Sequence, residues 1–451
     1  MSDSSVITPA EPVGLFTRDQ VEMLSVRRVE PEWLRERRTT AHEAFASLPT
    51  PDTRSEEWRY TDIGSMLRLE EIGLPEEAAG TSGTDELPEG LRAMIGEAGE
   101  ASAQLVQVDA SVVFRNLPEE LARQGVVFTS LDHAVREHGE LVRRYLGTAV
   151  TDEDGKYAAM NSALWSGGLF LYVPKKVRVE IPLRAYRWLA SPQGSLFGRT
   201  LIVAEEFAEV ALMEELGSEA VEGQALSNGA AEIFAAEGAK VTFVTLQRFG
   251  SGVVHLTTDR LVAGRDARIT TLYTTLGSDL TRADVRCRLK APGAHVDMLG
   301  LYLGEGTQHF DHETLQDHIS PHASSNLLYK GALRDTGRSV FRGLIRVHPR
   351  AQRTDAYQTN RNLILSNQAR ADSLPNLEIG ADDVRCSHAA TVGQLDEEEI
   401  FYLQSRGLPK LEAMRLVIFG FFGEVLEQLE LTGIRRELVR AIERKLYGTQ
   451  G

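Results

Sequence analysis

The chain has few cysteines, no long apolar run and no excess of basic residues. Only two of its 451 residues are cysteine, Cys287 and Cys386, and they lie far apart. This usage is typical of a reducing compartment and argues against a disulfide framework. No stretch of about 18 or more apolar residues is present, so the sequence predicts no transmembrane helix. The first residues lack the basic and apolar regions of a signal peptide, and we expect a soluble, cytoplasmic protein.

The sequence carries 49 basic and 65 acidic residues, which give a formal net charge of −16. A surface of this sign repels phosphate groups, so the charge argues against general nucleic-acid binding and against docking to an anionic membrane. The glycines form no GxxxxGKS/T or GxGxxG phosphate loop, and no GxSxG nucleophile elbow is present.

A repeat of just under thirty residues fills the middle of the chain. It is seen in the segments IVAEEFAEV, IFAAEGAKV, LVAGRDARI and RLKAPGAHV, whose final residues lie 31, 28 and 27 positions apart. Two places before each final residue stands an alanine, and the four are Ala208, Ala239, Ala267 and Ala294. Each unit is too small to bury its own apolar face, so the units must stack. The pattern predicts a parallel β-helix with tight alanine corners, and a β-sandwich with coincidental turns is the alternative.

Helical spacing flanks this repeat on both sides. Apolar residues recur at helical intervals over residues 17–46 and 130–146, whereas residues 69–104 have the composition of a surface excursion. The helical period returns at residue 396. We therefore predict a mainly β protein with flanking α structure. It comprises an N-terminal helical region with a loose tail and a flexible acidic segment (1–155), a parallel β-helix core (156–394) and a C-terminal helical domain (395–451).

The first candidate site is the sequence DVRCSHAATVG, which runs from residue 383 to residue 393. Cys386 and His388 stand two residues apart, so on a strand they point to the same face. We expect both side chains to project outward from the coil. A thiolate beside an imidazole forms half of a site for zinc or iron, and the missing ligands must come from elsewhere in the chain, from a second chain or from a bound cluster. The alternative is a small buried cysteine beside a surface histidine.

A second candidate is HFDHETLQDHISPH, which holds four of the eleven histidines. Its H-x-x-H spacing and its carboxylates suit a metal site, but the H-E-x-x-H order of zinc hydrolases is absent. The stretch also interrupts the repeat as a longer insertion. Ladder hydrogen bonds or an interface are the interpretations that the spacing favours. The histidines are His309, His312, His318 and His322.

Another class of function is a β-helix lyase or hydrolase that acts on a polyanionic sugar. Such an enzyme needs carboxylates and basic residues on one face of a coil, and the candidates are Arg353, Asp355, Asn360 and Arg361. Polar ladders with a purely structural role have the same composition. Cys287 alternates with charged residues in DVRCRLK, which predicts a buried thiol.

The run SLPNLEIGADDVRCSHAATVGQLDEEEIFYLQSRGLPKLEA (373–413) closely resembles the signature of the SufB/SufD family of iron–sulfur cluster assembly proteins, in its SufD branch. The resemblance continues in residues 311–347 and 351–366 and in RSEEWRYTDI (54–63), so it covers most of the chain. It implies a helical region, a right-handed parallel β-helix and a C-terminal helical domain. It also implies a scaffold without enzymatic activity, which pairs with a SufB-like subunit through the β-helix and with a SufC-like ATPase through the C-terminal helices.

The resemblance places Cys386 and His388 at the subunit interface, where they share a transient iron–sulfur cluster or iron with the partner. It implies no tightly bound cofactor, and it allows a homodimer when the chain is isolated. The family usually reads CSHGAT, whereas Ala389 stands here at the glycine position. If that glycine needs a positive φ, the alanine is strained by about 1 kcal/mol; if only a small side chain is needed, the alanine is tolerated.

The C-terminal helices carry a wide apolar stripe, which is either core or a docking face. From the resemblance we predict that this face binds the ATPase. The predicted partner-binding residues are Pro409, Leu416, Phe421 and Phe422.

Overall fold

The computed structural model describes residues 15–81, 83–97, 101 and 103–447, and the predicted loose tail lies outside these residues. In the described part, the helices are α1 (Arg18–Arg27), α2 (Glu32–Ser47), α3 (Ile63–Met66), α4 (Glu89–Gly96), α5 (Glu119–Arg123), α6 (Leu131–Glu137), α7 (Gly139–Tyr145), α8 (Lys156–Leu164), α9 (Glu397–Ser405), α10 (Lys410–Leu426) and α11 (Thr432–Tyr447). None of the helices in these ranges is long and apolar enough to cross a bilayer.

The strands of the described residues follow one another from β1 to β20. They are β1 (Gln104–Val108), β2 (Ser111–Asn116), β3 (Val127–Thr129), β4 (Leu169–Val173), β5 (Leu183–Trp188), β6 (Ser195–Leu196), β7 (Arg199–Ala204), β8 (Glu209–Gly217), β9 (Ala225–Ala235), β10 (Lys240–Arg248), β11 (Val253–Ala263), β12 (Arg268–Thr275), β13 (Leu280–Leu289), β14 (His295–Gly304), β15 (His309–His318), β16 (Ser324–Leu333), β17 (Arg338–Val347), β18 (Asp355–Ile364), β19 (Arg370–Ile379) and β20 (Arg385–Gln394).

From β7 onward, successive strands alternate between two long sheets. The first sheet has the order β2-β1-β5-β8-β10-β12-β14-β16-β18-β20, and the second has the order β19-β17-β15-β13-β11-β9-β7-β4-β3, with β6 beside β9. Pairing is antiparallel for β1 with β2 and for β3 with β4. The strands that follow pair in parallel, as β12 does with β10 and β14. The chain thus winds into a parallel β-solenoid of about 8 turns, so the prediction of a parallel β-helix is confirmed and the sandwich is excluded.

The repeated alanines form one corner of the solenoid. Ala208, Ala239, Ala267 and Ala294 are all fully buried, and each directly precedes a strand of the first sheet. The carbonyl of Ala239 accepts a hydrogen bond from the amide of Arg268 in the next coil at 2.8 Å, and the carbonyl of Ala267 accepts one from His295 at 2.9 Å. A larger side chain has no room at this corner, which explains the repeated residue.

Replacing Ala267 with leucine is therefore expected to destabilise the protein by about 1–3 kcal/mol, because extra methylene groups must be forced into a packed corner. Arg265→Leu changes an exposed residue of the same turn and is expected to stay within about 0.5 kcal/mol of the parent. Urea unfolding followed by circular dichroism compares the two. Equal destabilisation by both variants would show that the corner is not tightly packed.

The N-terminal region covers one end of the solenoid. Strands β1 to β3 lie within residues 1–155 and begin both sheets, so this region is not helical throughout. The predicted surface excursion is also wrong in part. Helix α4 lies within it, and its residues Leu91 and Met94 are buried against Trp188 of the solenoid. Few large apolar residues are present there, but they share one helical face.

The C-terminal helices pack on the outer face of the first sheet. Apolar residues of α10 and α11, such as Ile418 and Leu438, share one buried cluster with outward residues of the sheet, such as Leu272 and Leu301. Ion pairs reinforce this packing, and Arg184 of β5 donates to the Glu437 carboxylate of α11 at 2.7 Å. The two helices are therefore fixed to the solenoid.

Candidate functional site

The two ends of the solenoid differ. At the N-terminal end, β2 and β3 close the two sheets in antiparallel pairing. At the other end, β19 and β20 are the outermost strands, and in the described part of the chain no further strand pairs with their free edges. Most residues of these two strands are exposed or half-buried, unlike those of the preceding coils. A free edge of 10 residues on each sheet is a ready template for another chain.

The register of β20 fixes the direction of the candidate ligands. Cys386 pairs with Ala356 and His388 pairs with Gln358, and both β18 residues are fully buried. Residues in register on parallel strands point to the same face, so Cys386 and His388 face the lumen of the solenoid. The prediction that they project outward is wrong in this respect. They remain accessible because no coil follows β20, so that Cys386 is half-buried and His388 is exposed.

The lumen opens at this end through a ring of side chains that we call the mouth. It is formed by the lumen-facing residues of the last coil, which are Ser373, Pro375, Leu377 and Ile379 of β19 and Cys386, His388, Ala390 and Val392 of β20. Leu377, Ile379 and Val392 are 36%, 43% and 48% exposed, although their register partners in the coil below are buried. The mouth is thus an apolar surface with a thiol and an imidazole at its edge.

Electrostatics set the state of the thiol. Burial raises the pKa of Cys386, and the negative charge of Asp355 raises it further. The thiol is therefore protonated at neutral pH, and a metal ion must displace this proton before it can bind. Metal affinity should consequently rise with pH across the neutral range. The only other thiol, Cys287, is fully buried with a pKa raised to about 12, as expected for a core residue.

The chain alone does not complete a metal site at the mouth. A thiolate and a neutral imidazole suit iron or zinc, but a closed shell needs about four ligands. Among the described residues, no group of three or more His, Cys, Asp or Glu side chains is placed to hold a metal ion. Ala389 lies in β20 itself and does not have a positive φ, so alanine at the usual glycine position causes no backbone strain. The pair is an undistorted half-site.

The histidine cluster has a structural role. Its segment is not an insertion, because β15 pairs in register with β13 and β17. His312 is buried in the lumen, where its ring stacks on Tyr302 at 4.8 Å, and His318 hydrogen-bonds Ser325 at 2.8 Å. Burial lowers the pKa of both imidazoles to about 4, so both are neutral. These side chains pack and hydrogen-bond inside the coil.

The residues considered for a sugar-cleaving site are not brought to one face. Asn360 is buried in the lumen, where its amide bonds the hydroxyl of Tyr302 at 3.0 Å. The adjacent Arg361 points outward and donates to Glu424 of α10 at 3.1 Å. Arg353 lies in a turn, 3.5 Å from Asp383. The lyase alternative therefore gains no support.

A second exposed surface lies on helices α9 and α10 and on the linker between them. We call it the helix patch, and its large exposed apolar side chains are Phe401, Tyr402, Leu408, Leu411 and Leu416. Of these, sequence reasoning selected only Leu416. The other four lie in LDEEEIFYLQSRGLPKLEA. Apolar residues in this segment were a possible signal of a docking surface, but helical spacing alone does not show whether such residues are exposed or belong to the core.

The four predicted partner-binding residues differ in exposure. Pro409 is exposed at the start of α10, and Leu416 is 54% exposed. Phe421 is half-buried, and the ammonium group of Lys330 lies 4.5 Å from its ring centre. Phe422 is 1% exposed and belongs to the cluster between α10 and the first sheet. Its role is therefore to hold α10 on the solenoid, and the prediction of direct partner contact does not fit its burial.

These observations define a solenoid protein with an open end, where a thiol and an imidazole lie on one face of the last strand. Comparisons with known proteins agree with this class. Residues 187–421 match the family described as "SUF system FeS cluster assembly, SufBD core domain", and residues 14–185 match "SufBD protein N-terminal region". The chain belongs to the SufB/SufD family of iron–sulfur cluster assembly proteins.

Individual relatives extend over nearly the whole chain. It is 33% identical to the iron–sulfur cluster assembly protein SufD of Bacillus subtilis (strain 168), with 95% of this chain and 98% of that protein covered. It is 31% identical to SufB of the same strain, with 97% and 94% covered. A SufBD family protein of Staphylococcus epidermidis (strain ATCC 12228 / FDA PCI 1200) is 30% identical, with 98% and 96% covered.

Proposed function

We propose that this chain is a non-enzymatic scaffold subunit in which the mouth holds a nascent iron–sulfur cluster, or its iron, together with a SufB-like partner. The observation that carries the proposal is the position of Cys386 and His388 at the one open end of the solenoid. A thiol and an imidazole there can reach a second chain, which a fully enclosed pair could not. The relatives include SufD and SufB of Bacillus subtilis, both iron–sulfur cluster assembly proteins, and this similarity supports the assembly role.

In this proposal the cluster is cargo, and the protein residues bind and release it. Cys386 binds through its thiolate after losing a proton, and His388 binds through a neutral ring nitrogen. The partner subunit supplies the remaining ligands when its own strands cover the free edges of β19 and β20. The apolar mouth residues then exclude water from the site, which protects a cluster from hydrolysis and oxidation.

The helix patch is proposed to bind a SufC-like ATPase. Only two residues separate the end of β20 at Gln394 from the start of α9 at Glu397. A movement of α9 on nucleotide binding would therefore act directly on the strand that carries the half-site. Because β20 pairs with β18 on one side only, it is easier to displace than the inner strands of the first sheet, which pair on both sides. This coupling gives the ATPase a way to open the mouth.

The test is to co-express the chain with its SufB-like and SufC-like partners and to measure iron and sulfide per complex after anaerobic purification. We expect Cys386→Ala and His388→Ala each to lower the cluster content at least tenfold, because each removes a ligand while the complex stays assembled. His322→Ala, which changes an exposed histidine of a turn, is the control and should leave the content unchanged. Full cluster content in an intact His388→Ala complex would leave the chain a purely structural role.

A further inference from the structure

A buried amide without a hydrogen-bond partner lies directly below the mouth. Gln358 is fully buried, and neither its Nε2 nor its Oε1 atom has a hydrogen-bond partner among the described residues. Buried amides are normally paired, because losing water without gaining a partner costs free energy. Gln358 is an exception that lies one coil from the Cys386–His388 pair. A polar group of the mouth is therefore a candidate partner for its amide.

The side chain of Gln358 reaches across the lumen. A Cβ atom added at Gly343 of the facing sheet would clash with Nε2, Cδ and Oε1 of Gln358, so the amide lies against the Gly343 backbone. In the last coil, Pro375 stands in register with Gly343 and His388 stands in register with Gln358. The amide thus forms the floor of the mouth, and the backbone of His388 lies one strand spacing, about 4.8 Å, from the backbone of Gln358.

Two polar side chains beside the floor, Ser373 and Asn362, already have partners. Ser373 of the mouth donates to Oδ1 of Asn360 at 2.8 Å, and Asn362 donates to the same oxygen at 2.8 Å. Pro375 and Ala390 have no polar side-chain atoms. Cys386 lies above Ala356 in the neighbouring column rather than above the amide. The imidazole of His388 is therefore the polar side chain of the mouth that is placed to pair with Gln358.

Metal-bound histidines usually donate their second ring N–H to a carbonyl or carboxylate oxygen, which fixes the ring orientation and the tautomer. We propose that Gln358 is a positioning residue: its Oε1 accepts the ring N–H of His388 while the other ring nitrogen binds the metal ion or cluster. This inference rests on the proposed function of the Cys386–His388 pair and adds a residue that supports it from the lumen.

Cobalt(II) binding to the purified full chain tests this inference without a partner or an activity assay. The absorption of a thiolate–cobalt bond reports on Cys386, because Cys287 is fully buried. Gln358→Leu, which keeps the bulk but removes the acceptor, is expected to weaken cobalt binding about tenfold. Gln358→Glu keeps an acceptor oxygen and should retain at least the parent affinity. Tyr329→Phe removes another unpartnered lumen group away from His388 and should change nothing.

The outcomes distinguish a failure of the positioning role of Gln358 from a failure of the ligand role of Cys386 and His388. If Gln358→Leu binds cobalt as tightly as the parent while Cys386→Ala and His388→Ala lose the thiolate–cobalt signal, the positioning role is overturned and the ligand pair stands. If Cys386→Ala or His388→Ala keeps the parent signal, or if the parent shows no signal either alone or in its complex with the SufB-like partner, the proposed ligand function itself fails. Thermal unfolding checks the fold of each variant, and Gln358→Met repeats the comparison with an unbranched side chain if Gln358→Leu does not fold.

Discussion

Replacing Val392 with aspartate is expected to abolish the stable association of this chain with the SufB-like partner that we propose. Val392 is 48% exposed at the mouth, although Asn362, its register partner in the coil below, is buried. A partner that covers the mouth would enclose the new carboxylate in an apolar surface without a cation. An unpaired buried charge costs about 3 kcal/mol or more, which corresponds to a Kd at least about a hundredfold weaker. Copurification and analytical ultracentrifugation measure the loss.

The matched control is Phe207→Asp, which introduces the same charge at an apolar residue that is 50% exposed in a turn of an early coil. This variant should bind the partner as the parent does, because Phe207 lies far from β19 and β20 along the solenoid. Both substitutions are at exposed sites, so the isolated chains should have similar melting temperatures. Normal assembly of the Val392→Asp chain would place the interface somewhere other than the mouth.

The double substitution Leu411→Asp and Leu416→Asp is expected to release the ATPase while leaving the mouth partner bound. These side chains are 56% and 54% exposed on α10, so their replacement removes apolar contact area and adds two charges to the helix patch. Exposed apolar patches of this kind mark docking surfaces. We expect ATPase binding to weaken at least about a hundredfold, because an unpaired carboxylate enclosed in an apolar contact costs about 3 kcal/mol or more. Surface plasmon resonance with the immobilised chain gives the affinity.

Val26→Asp provides the control for the helix patch, because Val26 is 66% exposed on α1, outside the C-terminal helices. It should leave both partners bound. The account of the helix patch would be contradicted if the double variant bound the ATPase with the affinity of the parent. Simultaneous loss of both partners would instead indicate that the C-terminal helices also support the mouth, through their attachment to β20.

The solenoid could be predicted from sequence because its repeat is imposed by a local steric requirement. An alanine two places before a β-branched residue recurs in four successive coils, where only a small side chain fits the buried corner at Ala208, Ala239, Ala267 and Ala294. The buried state of Cys287 followed from alternation along a strand in the same way. Periodic constraints of this kind are visible in one sequence, and they favoured a β-helix, whereas the structure was needed to exclude a sandwich.

The direction of the half-site could not be predicted in this way. Alternation shows that Cys386 and His388 share a face, but it does not show whether that face is the lumen or the outer surface. The answer depends on β20 being the last strand of its sheet, which is a property of the whole assembly of coils. The role of Gln358 was missed for the same reason, because its register with His388 connects residues that are 30 positions apart.

The helix patch shows a second limit of sequence reasoning. Helical spacing identifies an apolar stripe on α10, but it cannot show how much of that stripe the first sheet covers. Phe422 turned out to be core and Leu416 exposed, although both lie on the same helix. Which side of α10 faces the solenoid is determined by long-range contacts such as that between Lys330 and the carbonyl of Phe421, at 2.8 Å.

The most direct test of the central claim is X-ray absorption at the iron edge of the complex with the SufB-like partner, loaded with iron under anaerobic conditions. The open lumen end should contribute one sulfur and one nitrogen ligand, so the spectrum of the parent should contain a nitrogen scatterer that His388→Ala lacks. Identical iron environments in the parent and in His388→Ala would contradict the claim that the mouth supplies half of the coordination shell.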